Sequence, residues 1–139
     1  MRAMRTLRAF TLIELLLVMV ILAVLASVAV PIYLGYAEES RRKATIAEIH
    51  SLKTAIGAFE IENGRLPEGN EGLEALLYCP SDLTASWHGP YFDHMPMDKW
   101  GHAYLYENPA SQGLSEFNII SAGKDGQFGD DDDLDIYTH

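Results

Sequence analysis

Residues 15–30 read LLLVMVILAVLASVAV, an uncharged apolar stretch on which the organisation of the whole chain depends. Extended to residues 10–34, it contains enough helical residues, at about 1.5 Å each, to cross a bilayer. The alternative interpretation is a secretory signal peptide, with a small-residue cleavage site at Ala23, Ala26 and Ala29. Signal peptides have apolar regions of only about 7–15 residues, so the stretch favours an uncleaved membrane-spanning helix.

Glu14 places a carboxylate inside this apolar stretch. At the centre of a bilayer an Asp side chain costs about 2.5–3.5 kcal/mol on insertion scales, so a carboxylate there needs a partner. Cleavage before Phe10 would create a positive amine at the same membrane depth, which could neutralise Glu14 of an adjacent subunit. Because only one stagger brings the amine to the carboxylate, we expect this pair to set the register of an assembly.

The charge distribution, the single cysteine and the absence of catalytic motifs limit the classes of protein to which the chain can belong. The formal net charge is −10, and the basic residues after Lys53 are Arg65, Lys99 and Lys124 alone. Nucleic-acid binding needs clustered Lys and Arg, so we expect no nucleic-acid partner. Cys79 has no second cysteine to pair with, so a small exported domain would gain stability from a metal or from assembly. The sequence also contains no zinc spacing, nucleophile elbow or phosphate-binding glycine loop, which disfavours an enzyme.

The region after Tyr36 predicts an amphipathic helix that continues the apolar one. Apolar residues recur there every three or four positions, at Ile46, Ile49, Leu52, Ile56 and Phe59. This spacing predicts one face packed on a domain core. We expect a single helix from about Leu12 to Glu62, with a stop signal at Asn63-Gly64.

The remaining segments predict a small sheet beside this helix. Residues 70–78 predict a short helix, and residues 103–106 and 117–120 alternate like an antiparallel pair of strands. Another strand is predicted at residues 134–137. A small antiparallel sheet on a long helix gives an α+β fold.

Residues 121–135, SAGKDGQFGDDDDLD, form the most informative polar segment. Six aspartates lie within residues 125–135, and three glycines interrupt the segment. A solvated acidic tail is one interpretation. The glycines instead favour a loop that folds back and brings carboxylates and carbonyls together, which suits calcium with its 6–8 oxygen ligands. The spacing of an EF-hand is absent.

The segment Ala9-Phe10-Thr11-Leu12-Ile13-Glu14 resembles the N-terminal signal of type IV pilins and pseudopilins. The resemblance implies that a prepilin peptidase removes residues 1–9 between Ala9 and Phe10 and methylates the new amine. It leaves residues 10–34 as the transmembrane and assembly helix. The family normally has Gly where this chain has Ala9. Pro31 stands where pilins carry a proline, which should kink or locally melt the helix.

Later segments resemble the major pseudopilins of type II secretion systems, and with the signal they cover nearly the whole chain. They are residues 65–77, Gly89-Pro90-Tyr91 and residues 97–104. The resemblance implies an exported domain over residues 35–139, with its helix continuing to about 62 and its sheet and calcium loop at about 100–139. It also implies an α+β fold with a C-terminal calcium loop.

The sequence SAGKDGQFGDDDD resembles the calcium loop SAGPDGxxGTxDD of those pseudopilins, with Lys124 in the place of its proline. The ligands that the resemblance implies are the carboxylates of Asp125, Asp132 and Asp133 and the backbone carbonyls of Ser121 and Phe128. Asp130 and Asp131 replace a threonine and a variable position, and they could act as further ligands or only raise the local negative potential.

The resemblance implies a non-enzymatic structural subunit that spans the bacterial inner membrane once and polymerises in the periplasm. The partners that it implies are further copies of the chain, minor pseudopilins, the prepilin peptidase, the inner-membrane assembly platform and membrane lipid. Two alternatives stay open at this point. One is a subunit of a competence or surface type IV pilus, and the other is a monomeric, membrane-anchored calcium-binding or enzymatic periplasmic protein.

Overall fold

The computed structural model describes residues 10–111 and 115–138, so the predicted leader lies outside the described part of the chain. The elements, in chain order, are helix α1 (Leu12–Asn63), a 3₁₀ helix (Gly72–Leu76), strand β1 (Leu105–Glu107) and strand β2 (Asn118–Ile120). A long N-terminal helix and a small antiparallel sheet confirm the predicted α+β class. The chain divides into two compact units, one ending at Glu38 and the other beginning at Glu39.

The first unit is dominated by the N-terminal half of α1, whose apolar side chains are exposed on all sides. Every residue from 10 to 36 is exposed. The helix is long and apolar enough to cross a membrane, with a mean hydropathy of 3.0 in its most apolar window. A helix that is hydrophobic all round has to be covered by lipid or by other protein. Because α1 continues through Pro31, the proline does not end the helix in the single chain. Local melting there stays a prediction.

The second half of α1 provides the apolar face of the second unit. Its buried residues are Thr45, Ile49, Leu52, Ala55, Ile56 and Phe59. They recur every three or four positions and therefore lie on one side of the helix. The helix ends where Gly64 adopts a φ of 73° and donates its N–H to the Glu60 carbonyl at 2.8 Å. A left-handed glycine after the last turn is a common helix stop, and the sequence predicted the end at this position.

The short helix predicted over residues 70–78 is a shorter 3₁₀ helix instead. It covers only Gly72–Leu76. Gly72 has a φ of 59°, a left-handed conformation that an α-helix does not contain. A longer α-helix therefore cannot run through this residue. The turn still contributes apolar side chains to the core, namely Leu73, Ala75 and Leu76.

The sheet consists of β1 and β2 in antiparallel register. The opposed pairs are Leu105–Ile120, Tyr106–Ile119 and Glu107–Asn118. Alternate residues of a strand point to opposite faces, so Tyr106 and Ile119 enter the core together. The core combines this face with the buried face of α1, the 3₁₀ helix and the C-terminal residues Leu134 and Ile136.

A third strand, predicted at residues 134–137, does not form in the described part of the chain. Ser121 and Leu134 make one antiparallel bridge, in which each N–H donates to the other residue's carbonyl, at 2.8 and 3.1 Å. Beyond this bridge, the Asp135 carboxylate accepts the N–H of Tyr137 at 2.9 Å. This local side-chain bond turns the chain and takes the place of the ladder that a strand would need.

The assigned core predicts unequal effects of the same substitution at two positions of α1. Ile56 is 0% exposed and Ile61 is 86% exposed. Ile56→Ala should lower the free energy of unfolding by about 2–5 kcal/mol, because it removes buried methyl groups and leaves a cavity. Ile61→Ala should change it by less than about 0.5 kcal/mol. Urea denaturation of the detergent-solubilised chain, followed by tryptophan fluorescence, measures both. Equal effects would contradict the assigned core.

Candidate functional sites

The acidic loop, residues 121–135, folds back on itself where it leaves β2. Gly123 has a φ of 61°. A Cβ atom at Gly123 would lie 2.5 Å from the backbone oxygen of Asp132 and 2.7 Å from its carboxylate Oδ2. Only glycine fits this close approach. The approach brings the two limbs of the loop together.

Three carboxylates of the loop form a group. Asp125, Asp130 and Asp132 each have an oxygen within 4.8 Å of the others. Backbone N–H groups orient all three: Asp132 Oδ2 accepts the N–H of Lys124 and Asp125 Oδ1 that of Gln127, both at 2.9 Å, and Asp130 Oδ1 accepts that of Asp132 at 3.1 Å. Grouped carboxylate oxygens are the ligands that calcium prefers. The sequence left the role of Asp130 open, and the structure places it with two of the predicted ligands.

Asp133, the third predicted carboxylate ligand, stands apart from this group and has an oxygen without a partner. Its Oδ2 accepts the N–H of Gly129 at 2.6 Å, whereas its Oδ1 is buried without a hydrogen bond. A buried carboxylate oxygen without a donor is unfavourable, and a bound cation would satisfy it. Asp130 and Asp133 also line the same open cavity of about 490 Å³, which gives a cation room to approach. The residues present therefore fit a calcium ion.

The two carbonyls predicted as ligands have different surroundings. The Ser121 carbonyl accepts the N–H of Leu134 at 3.1 Å, which leaves one lone pair of the oxygen for a cation. Phe128 lines the cavity that Asp130 and Asp133 share. The assignment of these two carbonyls as ligands stays a prediction.

The ionisation of the loop is uneven. The side-chain hydrogen bond between Asp130 and Asp132 raises the pKa of Asp130 and lowers the pKa of Asp132. The backbone N–H groups of Lys124 and Asp125 lower the pKa of Asp132 further. Asp130 therefore keeps its proton to a higher pH than an ordinary aspartate does. A cation bound by both groups needs both carboxylates ionised, so acidification should weaken its binding.

Asp98 and His102 support the loop from a neighbouring turn. The buried Asp98 carboxylate accepts the Ser121 hydroxyl at 2.7 Å and the N–H groups of Trp100 and His102 at 3.1 and 2.8 Å. His102 Nδ1 lies 3.0 Å from the Gly123 carbonyl oxygen. These contacts hold the start of the loop in place. An aspartate side chain often accepts a backbone N–H two residues later and so forms a local turn. This tendency is the one hint that the sequence offers of the role of Asp98.

These contacts predict that Asp98 matters more to stability than an exposed aspartate does. Asp98→Ala should lower the free energy of unfolding by about 1.5–3 kcal/mol, because it leaves the buried Ser121 hydroxyl and two part-buried N–H groups without their acceptor. Asp93 is exposed and serves as the control, so Asp93→Ala should have an effect within about 0.5 kcal/mol. Denaturation curves of the two variants measure the difference. A neutral Asp98→Ala would show that Asp98 does not hold the loop.

The second candidate site is the N-terminus of α1. The N–H and the hydroxyl of Thr11 both donate to Glu14 Oε2 at 2.9 Å, and the Glu14 N–H donates to Thr11 Oγ1 at 3.3 Å. This reciprocal arrangement is a capping box, and the Thr-x-x-Glu spacing is its sequence signal. Glu14 thus has donors within its own helix. Its pairing with the amine of Phe10 of another subunit stays a prediction, and Ala9 lies outside the described residues.

Family models match both parts of the chain. The prokaryotic N-terminal methylation motif matches residues 4–30, and type II secretion system (T2SS), protein G, matches residues 32–139. The crystal structure of the major pseudopilin from the type 2 secretion system of enterohaemorrhagic Escherichia coli has a TM-score of 0.62 to this chain at 26% sequence identity. That match covers 73% of this chain and 90% of the other. The fold and the N-terminal motif define a membrane-anchored pseudopilin.

Similar sequences refine this class. The chain is 36% identical over 137 residues to the type II secretion system core protein G of Escherichia coli (strain K12), covering 96% of this chain and 93% of that protein. The core protein G of Vibrio cholerae serotype O1 is 34% identical over 131 residues, covering 93% and 88%. The chain therefore belongs to the protein G family of type II secretion systems. Members are structural, non-enzymatic subunits, which confirms the predicted pseudopilin and the prediction that the chain is not an enzyme.

Proposed function

We propose that this pseudopilin is the major structural subunit of a periplasmic filament whose growth drives the export of folded proteins across the outer membrane. The observation that carries the proposal is a protein G domain over residues 32–139 attached to a helix that is exposed throughout residues 10–36. Such a helix needs lipid around it before assembly and other helices around it afterwards. A filament of many copies supplies the second environment.

Processing and membrane insertion are part of the proposal. The methylation-motif match over residues 4–30 supports cleavage between Ala9 and Phe10 by a prepilin peptidase, followed by methylation of the new amine. The chain would then span the inner membrane once, with the domain from residue 35 onwards in the periplasm. Basic residues favour the cytoplasmic side of a membrane, and those of the leader are Arg2, Arg5 and Arg8.

Glu14 would select the stagger between subunits. The donors from Thr11 are neutral, so they leave the charge of the carboxylate uncompensated. The methylated amine of Phe10 on a neighbouring subunit would compensate that charge, and a wrong stagger would leave it unpaired. Pro31 lacks a backbone donor, so it would be the place where α1 melts when a filament is stretched.

The acidic loop would bind one calcium ion in each subunit. The residues that would hold it are Asp125, Asp132 and Asp133, the carbonyls of Ser121 and Phe128, and Asp130 from the same carboxylate group. When bound, calcium supplies the positive charge that keeps neighbouring carboxylates together. The chain itself holds the limbs of the loop through the close approach at Gly123 and through the Asp98 hydrogen bonds.

A pseudopilin of this family assembles into a pseudopilus with other secretion components. The specific partners in this proposal are copies of the same chain, minor pseudopilins at the same filament, the prepilin peptidase and the inner-membrane assembly platform. The exposed helix would contact membrane lipid and, after assembly, the helices of neighbouring copies.

Removal of the Glu14 carboxylate should separate insertion from assembly. Glu14→Ala should still insert, because the change makes the helix more apolar, but filament yield should fall about tenfold or more, since about 1.4 kcal/mol already changes an association constant tenfold. Electron microscopy of sheared filaments and secretion of an exported enzyme measure the effect. Glu60→Ala, in the exposed part of the second half of α1, is the control and should assemble normally.

The same preparations test the processing. Mass spectrometry should report a mature chain that begins with an N-methylated Phe10. Normal filaments from Glu14→Ala would contradict the charge pairing. Working filaments whose subunits retain the arginine-rich leader would contradict it as well, because no amine would then exist at Phe10.

Calcium binding should depend on Asp132 and on pH. Asp132→Asn should weaken calcium affinity about tenfold or more, equivalent to about 1.4 kcal/mol, because it removes a charged oxygen ligand. Asp93→Asn, an exposed position outside the loop, should leave the affinity unchanged. For the unmodified chain, affinity should fall as the pH is lowered through the raised pKa of Asp130, because that carboxylate becomes protonated. Isothermal titration calorimetry measures each case, and equal affinities of the two variants would contradict the site.

A further inference from the structure

Two tyrosines lie at the C-terminal end of the exposed apolar segment of α1. Tyr33 and Tyr36 are 72% and 73% exposed. They are three positions apart and therefore share one side of the helix. A tyrosine ring is apolar and its hydroxyl is polar, so tyrosines favour the boundary between the hydrocarbon and the head groups of a bilayer.

We propose that this tyrosine pair anchors α1 at one head-group boundary of the membrane and thereby places Glu14 at the opposite boundary. The inference rests on the membrane insertion of residues 10–36 in the proposed function. The occupant of this surface is lipid, because the pair directly continues the apolar helix surface that the bilayer would cover. Packing of the tyrosines against another helix is the competing assignment.

The length of the helix supports this placement. Tyr33 follows Glu14 by nineteen residues, which gives about 28 Å at 1.5 Å per residue. The hydrocarbon core of a typical bilayer is about 30 Å thick. Residues 15–32, between the two, include no charged side chain. A helix held at the tyrosine pair therefore fills the hydrocarbon with uncharged residues and brings Glu14 to the other head-group region.

The capping box is consistent with the same position. The first turn of a helix has N–H groups without partners in the helix, and a polar surrounding or a capping side chain satisfies them. Thr11 and Glu14 provide such a cap at the end that would meet the head groups. A charge costs less there than at the bilayer centre. A subunit held in this position in the membrane can therefore keep Glu14 ionised at low cost. The charge becomes unfavourable when α1 moves along the membrane normal and carries Glu14 into the hydrocarbon.

Cysteine accessibility in nanodiscs tests the placement of Glu14. The full mature chain, with Cys79→Ser, is inserted in discs of phosphatidylethanolamine and phosphatidylglycerol, and single cysteines are introduced one at a time from Thr11→Cys to Leu22→Cys. A water-soluble maleimide should label positions up to about residue 14 and spare the later ones. Protection of all positions, or labelling that reaches residue 18, would overturn the placement.

Thinner discs test the anchor itself. If the core is thinner by about 7 Å, the tyrosines should hold their end, so the labelling limit should move about five residues toward the C-terminus. In the chain that carries both Tyr33→Ala and Tyr36→Ala, neither end of the apolar helix is anchored. The mismatch between helix and bilayer should then be divided between the two ends, so the labelling limit should move about half as far. Tyr78→Ala is the matched control, because Tyr78 is 72% exposed outside α1, and it should behave like the unmodified chain.

Equal shifts in all three chains would overturn the anchor. A difference that appears only in discs with two or more copies would assign the tyrosines to helix packing and would also overturn it. Co-purification of the chain with intact discs is measured first. A chain that fails to insert contradicts the proposed membrane function, whereas a chain that inserts with the wrong labelling limit contradicts only the anchor.

Discussion

The uncovered apolar surface of α1 is the constraint to which the other features of the chain respond. Burial of a large apolar side chain is favourable by about 1.5–3 kcal/mol, and the large apolar side chains of residues 10–34 are all at least half exposed. Lipid and neighbouring helices are almost equally apolar, so apolar contact alone does not favour a filament over the membrane. The preference has to come from polar groups, and within residues 10–34 the one charged side chain is Glu14, in the first turn beside Thr11.

The second unit obtains its order from a small number of connections. Its two strands are each 3 residues long, and most of the chain after α1 is turn or irregular structure. The helix face supplies the core, while polar contacts connect the segments that lie far apart in sequence. Asp98 is central to these contacts, since it joins its own turn to the start of the acidic loop. A cation at the loop would act on a segment that the protein already holds at both ends.

The elements that the sequence predicted correctly are those encoded by local periodicity. The apolar run and the three-to-four spacing predicted α1 and its end at Gly64, and alternation predicted β1 and β2. The two differences arise from backbone detail: Gly72 adopts a left-handed conformation that shortens the helix, and the Asp135 side chain replaces the third strand.

The candidate sites also contain some features that are visible in the sequence and others that depend on the fold. The acidic loop was visible because its aspartates and glycines are contiguous, and the Thr-x-x-Glu cap of α1 has a readable spacing. The contacts from Asp98 and His102 were not predictable, because more than twenty residues separate each of them from Gly123. Both strands of the sheet lie between them in the sequence. The grouping of Asp130 with Asp125 and Asp132 depends on how the loop folds back, which spacing alone does not specify.

Lys124 contributes to the loop through its backbone. Its N–H donates to Asp132 Oδ2 at 2.9 Å, and a proline at this position, as in the resembling loop, would have no N–H to donate. Asp132 is consequently oriented by the polypeptide itself. In thermodynamic terms this is preorganisation, because part of the ordering entropy of the loop is lost during folding. If the loop binds calcium as proposed, less ordering is left for the ion to impose.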